Sequence, residues 1–139
     1  MLKRTFTSQA GLQAFAAEMS ASLRAGDVIA LAGPLGSGKT TFVRAVVHAL
    51  LGEDAATSPT FTFWHRYGGN PPIDHLDLFR IENPGEVQEL GLEEAFNGDS
   101  IVLIEWWDHA PQLLPTRHTE IVLSGAGDQP RTFEMRRVG

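Results

Sequence analysis

Two hydrophobic periods alternate along this chain, and the switches between them outline its elements. Leu12, Phe15, Ala16, Met19 and Leu23 recur at helical spacing. They predict a helix capped by Ser8 and running to Arg24, with Ala25-Gly26 as its stop. Residues 27–32 form a short apolar run that reads as a buried strand, and residues 41–51 read as a second helix ending at Gly52. Residues 60–67, rich in aromatic and β-branched side chains, predict a strand, and residues 68–72 a turn. Residues 73–79 then alternate. Ile73, His75, Asp77 and Phe79 fall on one face, and Asp74, Leu76 and Leu78 on the other.

Further on, helical pattern occupies residues 85–90, is broken at Gly91, and resumes through Phe96. Residues 100–105 are the most apolar strand, of the kind buried on both sheet faces. Residues 119–123 and 131–135 alternate as a terminal hairpin, and residues 3–7 suit a short first strand. Helices interleaved with apolar strands predict an α/β sandwich with a largely parallel central sheet and antiparallel edge strands.

One segment carries explicit chemistry. Gly33-Pro34-Leu35-Gly36-Ser37-Gly38-Lys39-Thr40 is a complete GxxxxGK[ST] phosphate-binding loop, set between a strand and a helix as the motif requires. Its glycines let backbone N–H groups wrap a phosphate without a Cβ in the way. The helix N-terminus adds partial positive charge. Lys39, expected to be exposed in the loop, reaches the β and γ phosphates, and the Thr40 hydroxyl is a ligand for Mg²⁺. Gly33, Leu35, Gly36, Ser37, Gly38, Lys39, Thr40 and Thr41 are therefore the expected nucleotide contacts. The loop makes the expected fold a three-layer sandwich like that of P-loop NTPases.

Bulk properties narrow the picture. A chain of 139 residues and 15.2 kDa predicts a single domain over residues 1–139. It has no cysteine, which removes disulfides, thiolate metal sites and cysteine nucleophiles. No apolar run approaches the ~18 residues of a membrane span, and no basic-then-apolar leader opens the chain, so the cytoplasm is the expected compartment. The net charge is −6, whereas a protein that grips nucleic acid unaided carries a basic excess. Arg131, Arg136 and Arg137 form a small basic cluster that reads mainly as a solvated edge. Strong direct binding of nucleic acid is not expected.

Hydrolysis needs an acidic group near the metal and the attacking water. In open α/β sheets such groups sit at the carboxyl ends of strands, beside the phosphate loop. Glu105 ends the apolar strand, and Asp77 lies in His75-Leu76-Asp77-Leu78-Phe79-Arg80. Either suits the attacking water. Thr60, in Ser58-Pro59-Thr60, occupies the region where many phosphate-loop enzymes sense Mg²⁺ and the γ-phosphate. Trp106-Trp107 follows Glu105 and is read two ways, as core at the sheet edge or as a surface for a base or a partner. His48, His65, His75, His109 and His118 lack metal-site spacing and read as structural. The glutamates at 82, 86, 89, 93 and 94 read as a solvated acidic face.

Taken in order, four boxes resemble the TsaE (YjeE) family, small bacterial ATPases required for threonylcarbamoyladenosine modification of tRNA. They are the loop at 33–41, Ser58-Pro59-Thr60-Phe61, Asp77-Leu78-Phe79-Arg80 and Glu105-Trp106. The resemblance covers roughly residues 8–125. It implies that ATP and Mg²⁺ are the ligands, that Thr40 and Glu105 serve the metal, that Asp77 is needed for catalysis alongside Lys39 and Glu105, and that Trp106 lies near the nucleotide or a partner. It further implies action in a complex with the TsaB and TsaD proteins. No arginine is assigned by motif to the γ-phosphate, so hydrolysis is expected to be weak in the isolated subunit and to rise with those partners. Pro34 departs from the pattern, since the family commonly has an acidic residue there. Two other readings stay open. A small-molecule kinase would need an arginine-bearing lid, but the sizeable connection here, residues 83–99, is acidic. A nucleotide-dependent binding module would not need Glu105.

Overall fold

The structure, a computed structural model, describes residues 2–34, 36–52, 63–125 and 129–139. In chain order the elements are β1 (Leu2–Phe6), α1 (Gln9–Ser20), β2 (Val28–Ala32), α2 (Lys39–Leu51), β3 (Trp64–Tyr67), β4 (Ile73–Asp77), α3 (Glu86–Glu89), β5 (Ile101–Glu105), β6 (His118–Ser124) and β7 (Arg131–Val138). Three 3₁₀ turns, Leu92–Phe96, Trp107–His109 and Pro111–Leu113, complete the set. The described strands form one sheet in the order β1-β7-β6-β2-β5-β4-β3. Its centre, β6-β2-β5-β4, is parallel, and the outer pairings β1-β7, β7-β6 and β4-β3 are antiparallel. This is the predicted α/β arrangement, terminal hairpin included.

Strand alternation divides the core in two. Ile29, Leu31, Ile101, Leu103, Ile73 and Ile121 face α1 and α2, where Phe15, Phe42 and Phe133 pack with ring centroids 5.1–6.4 Å apart. Val28, Ala30, Leu76, Val102 and Ile104 face the opposite layer, built from α3 and the 3₁₀ turns through Val87, Leu92, Ala95 and Leu113.

Element ends differ from the sequence expectation where side chains compete for the backbone. α1 stops at Ser20 rather than Arg24. Ser20 Oγ donates to Ala16 O at 2.6 Å, Ser22 Oγ donates to Met19 O at 2.8 Å, and Asp27 takes the Arg24 N–H at 2.8 Å. β4 stops at Asp77 rather than Phe79 because Asp77 Oδ1 accepts the Phe79 N–H at 3.0 Å and turns the chain. α2 begins two residues early, at Lys39, with Gly38 at φ 105° as its N-cap. The start of the expected strand over residues 60–67 lies outside the described residues, and the described strand begins at Trp64.

The parallel register sets up the site. β4 and β5 pair with Asp77 opposite Glu105, and β2 pairs with β5 with Leu31 opposite Glu105. The carboxyl ends of β2, β4 and β5 therefore meet at one edge, where the chain leaving β2 turns into the phosphate loop.

Candidate active site

The loop is held down by its first glycine. A Cβ on Gly33 would lie 2.5 Å from Leu123 O on β6 and 2.8 Å from Ser37 Oγ, at a backbone φ of 149°. Only glycine allows so close an approach. Gly36 and Gly38 also have positive φ, and the loop closes through Ser37 N–H on Pro34 O at 3.1 Å. No side chain caps α2, and no acidic residue occupies its first turn. Its first N–H groups and its dipole are thus left for an anion. Ser37 is fully buried, and its Oγ is among the described buried polar atoms without a hydrogen-bond partner. These features fit a bound phosphate.

Lys39 departs from expectation. It is only 5% exposed rather than open in the loop. Its ammonium donates to Gly33 O, and to Pro34 O at 3.0 Å, and lies 4.3 Å from the Trp106 ring centroid. Burial under the indole pushes its pKa below the ordinary lysine value, against the opposing charges of Glu105, Asp77 and Asp108.

Trp106 reaches this position through backbone geometry. It is the one non-glycine with φ in the left-handed region among the described residues, at 57°. For such a residue that conformation costs about 1–2 kcal/mol. It turns the chain sharply after β5, so the ring lies over Lys39 and packs at a tilt against Phe79, at 5.0 Å between centroids, and His109, at 5.5 Å. Both tryptophans pack against the core layer below, but Trp106 also lines the cleft, and Trp107 does not.

The acidic pair sits beside the lysine. Glu105 is 2% exposed. Its Oε1 accepts from Thr40 Oγ1 at 3.1 Å, and its Oε2 lies 2.6 Å from His75 Nε2. Asp77 is less enclosed. Burial raises its pKa above the ordinary aspartate value, and the Glu105 charge pushes the same way, while the Phe79 N–H, His75 and Lys39 oppose. A hydroxyl beside a carboxylate is a hard-oxygen donor pair of the kind that suits Mg²⁺.

A cleft of about 650 Å³ joins these groups. Gly36, Gly38, Lys39, Thr40, Thr41, Asp77, Glu105 and Trp106 line it. Thr7, Ser8, Gln9, Leu12, Gln129 and Arg131, from the start of α1 and the approach to β7, line it as well. Among the predicted site residues, Leu35 and Thr60, with the Ser58-Pro59-Thr60-Phe61 box, lie outside the described residues.

Sequence reasoning missed three features. His75, read as structural, touches Glu105; its place on the Asp77 face of β4 was the available signal. Phe79 packs at a tilt against Trp106. Arg131 was grouped with Arg136 and Arg137, yet it lines the cleft, Arg136 pairs with Glu120 at 2.8 Å on the other face of β7, and Arg137 lies roughly 20 Å further along the strand. The three do not form one basic patch.

Comparison with known proteins agrees with this geometry. Residues 6–133 match the sequence model of the family described as threonylcarbamoyl adenosine biosynthesis protein TsaE. A Bacillus subtilis protein named tRNA threonylcarbamoyladenosine biosynthesis protein TsaE is 38% identical over 128 residues, 91% of this chain and 80% of that one. A Rickettsia bellii protein of the same name is 40% identical over 84% of this chain and 82% of its own length. The crystal structure of Bacillus subtilis YdiB superposes with a TM-score of 0.81 at 33% identity, covering 99% of this chain and 86% of that one. By sequence over most of its length, and by a fold that carries its phosphate loop and acidic strand ends to one cleft, this chain belongs to the TsaE family.

Proposed function

We propose that this protein is a Mg²⁺-dependent ATPase that serves threonylcarbamoyladenosine modification of tRNA, acting with TsaB and TsaD. The observation that carries the enzymatic part is the meeting of Lys39, Thr40, Asp77 and Glu105, drawn from three separate segments, at the mouth of one cleft. The relatives' names support the pathway.

In this reading the loop N–H groups and Lys39 hold the phosphates. Lys39 exchanges its bonds to Gly33 O and Pro34 O for phosphate oxygens, which are stronger, charged acceptors. Thr40 and Glu105 would hold Mg²⁺. When bound, the ion would neutralise phosphate charge. Among the described residues no group of three or more His, Cys, Asp or Glu gathers as a metal centre, and phosphate oxygens and water would complete the ion's shell. Asp77 orients the attacking water. Glu105 is already engaged by Thr40 and His75, whereas Asp77, fixed by the Phe79 N–H through Oδ1, keeps Oδ2 as a second acceptor. Its raised pKa brings it nearer the operating pH of a general base. Ser8, Gln9 and Arg131 share the cleft with the phosphate loop, so they would be the neighbours of the nucleoside of ATP.

No arginine of the loop, the Asp77 box or the Glu105 strand end is aimed at the γ-phosphate by motif. A partner's contribution of that kind is worth about 10³–10⁵ in rate, so hydrolysis is slow in the lone chain and faster with TsaB and TsaD. An overall charge of −6 accords with work through protein partners rather than direct hold on RNA. No helix among the described residues is long and apolar enough to cross a membrane. Calorimetric titration of ADP into the purified protein and into Lys39→Ala tests the reading. Binding in the first and its loss in a folded second are expected; equal affinity in both would refute it.

A further inference from the structure

We propose that His75 is a positioning residue for Glu105. Its Nε2–H pins one carboxylate oxygen so that the other stays on Thr40, at the place where a divalent cation would be held. The inference rests on reading the cleft as a metal–nucleotide site.

His75 is 1% exposed, in the middle of β4, on the layer otherwise made by Ile73, Ile101, Leu103 and Leu31. An apolar side chain would be the ordinary occupant there. In the β4–β5 register His75 pairs with Leu103, two residues before Glu105. The ring therefore reaches diagonally along the sheet to meet Oε2 at 2.6 Å. An ionised carboxylate only accepts, so Nε2 carries the proton of this bond. Nδ1 is then a buried acceptor, and it stands among the described buried atoms with no partner. A buried polar atom left unpaired costs folding free energy. The fold keeps it, and what the imidazole supplies in return is one donor aimed at Glu105.

That donor has a task. Asp77 is directly opposite Glu105, and like charges so placed repel. A glutamate has enough torsional freedom to swing away from such a neighbour. Held at Oε2 by His75 and at Oε1 by Thr40, 3.1 Å away, it cannot. Thr40 lies on α2 and His75 on β4, so the carboxylate is braced from the helix layer and from the sheet at once. Partners of this kind behind a metal ligand typically change metal affinity or activity by about 10–100-fold.

The test uses Mn²⁺ in place of Mg²⁺, read by electron paramagnetic resonance as it is titrated into the protein–ADP complex. His75→Leu, of similar bulk and without a donor, is expected to bind Mn²⁺ about 10–100-fold more weakly, while its ADP affinity in EDTA stays within about two-fold of wild type. His75→Gln places an amide N–H at similar reach and is expected to recover most of the loss. Should His75→Leu fail to fold, His75→Asn, whose amide stops one bond short, takes its place with the same expectation. Unchanged Mn²⁺ affinity in a folded variant without the donor would overturn the proposal, as would equal loss in His75→Gln. Absence of Mn²⁺ binding in the wild-type ADP complex would overturn the metal reading itself, and that failure is visible before any variant is made.

Discussion

Replacing Gly33 by alanine tests whether the phosphate loop is seated by backbone contact with β6. The added Cβ would lie 2.5 Å from Leu123 O, a backbone atom that moves only with its strand, and 2.8 Å from Ser37 Oγ. Overpacking of that kind typically costs about 1–3 kcal/mol. The φ of 149° adds a backbone penalty of about 1–3 kcal/mol for any residue with a Cβ. Reduced freedom of the unfolded chain returns about 0.4–1 kcal/mol. The net loss is roughly 1–6 kcal/mol, and at about 3 °C per kcal/mol for a chain of this size the melting temperature should fall by roughly 3–17 °C. Gly68→Ala is the control, because a Cβ there meets nothing within 4 Å and its φ is ordinary. Its melting temperature should stay within about 2 °C of wild type. Thermal unfolding followed by circular dichroism, with ADP titration on the same samples, reads both effects. Gly33→Ala should also bind ADP more weakly, since relief of the contact moves Ser37 and the N–H groups beside it. A Gly33→Ala protein that melts with Gly68→Ala and binds ADP normally would refute the reasoning.

Three other outcomes follow from the site. Asp77→Ala and Glu105→Ala should keep ADP binding but lose turnover, by about 10²–10⁴-fold for Asp77, and Glu105→Ala should also lose about 1–3 kcal/mol of stability by leaving Thr40 and His75 unpaired; normal phosphate release from either would make that residue structural. Burial raises the Asp77 pKa in the fold, so as pH climbs past the ordinary aspartate value the unfolded chain releases its proton first and stability declines until the folded carboxyl has ionised too. Asp77→Asn should therefore flatten that part of the urea-unfolding pH profile and be the more stable protein at neutral pH, and an unchanged profile would contradict the burial argument. Labelled tRNA should show no tight binding to the purified chain at physiological salt, given a net charge of −6 and arginines divided between the faces of β7; salt-resistant retention on a filter would overturn this.

The phosphate loop was legible in the sequence because its determinants are contiguous. Eight residues carry the glycines, the lysine and the hydroxyl, and the flanking apolar runs supply the strand and helix. Asp77 and Glu105 were legible for a different reason. In a parallel sheet the carboxyl ends of neighbouring strands meet, so an acid at each end is brought together without knowledge of the register. His75 needed that register. Its contact with Glu105 depends on a two-residue diagonal between strands whose pairing no local pattern specifies. The burial of Asp74 was hidden in the same way. Its partners are Trp64 and Arg66 on β3 and Ser100 just before β5, which a single alternating strand does not reveal. The burial of Lys39 follows from the left-handed turn at Trp106, a conformation that residue type argues against. The element ends at Ser20 and Asp77 fell short of expectation because short polar side chains took the backbone groups that a longer element would have used.

The most direct test of the central claim is phosphate release from ATP and Mg²⁺ by the purified chain, alone and with TsaB and TsaD, for wild type and Lys39→Ala. Expected are slow release by the lone wild-type chain, a rise of several orders of magnitude with both partners, and none above background for Lys39→Ala in either case. Wild-type-like release by a folded Lys39→Ala protein would contradict it.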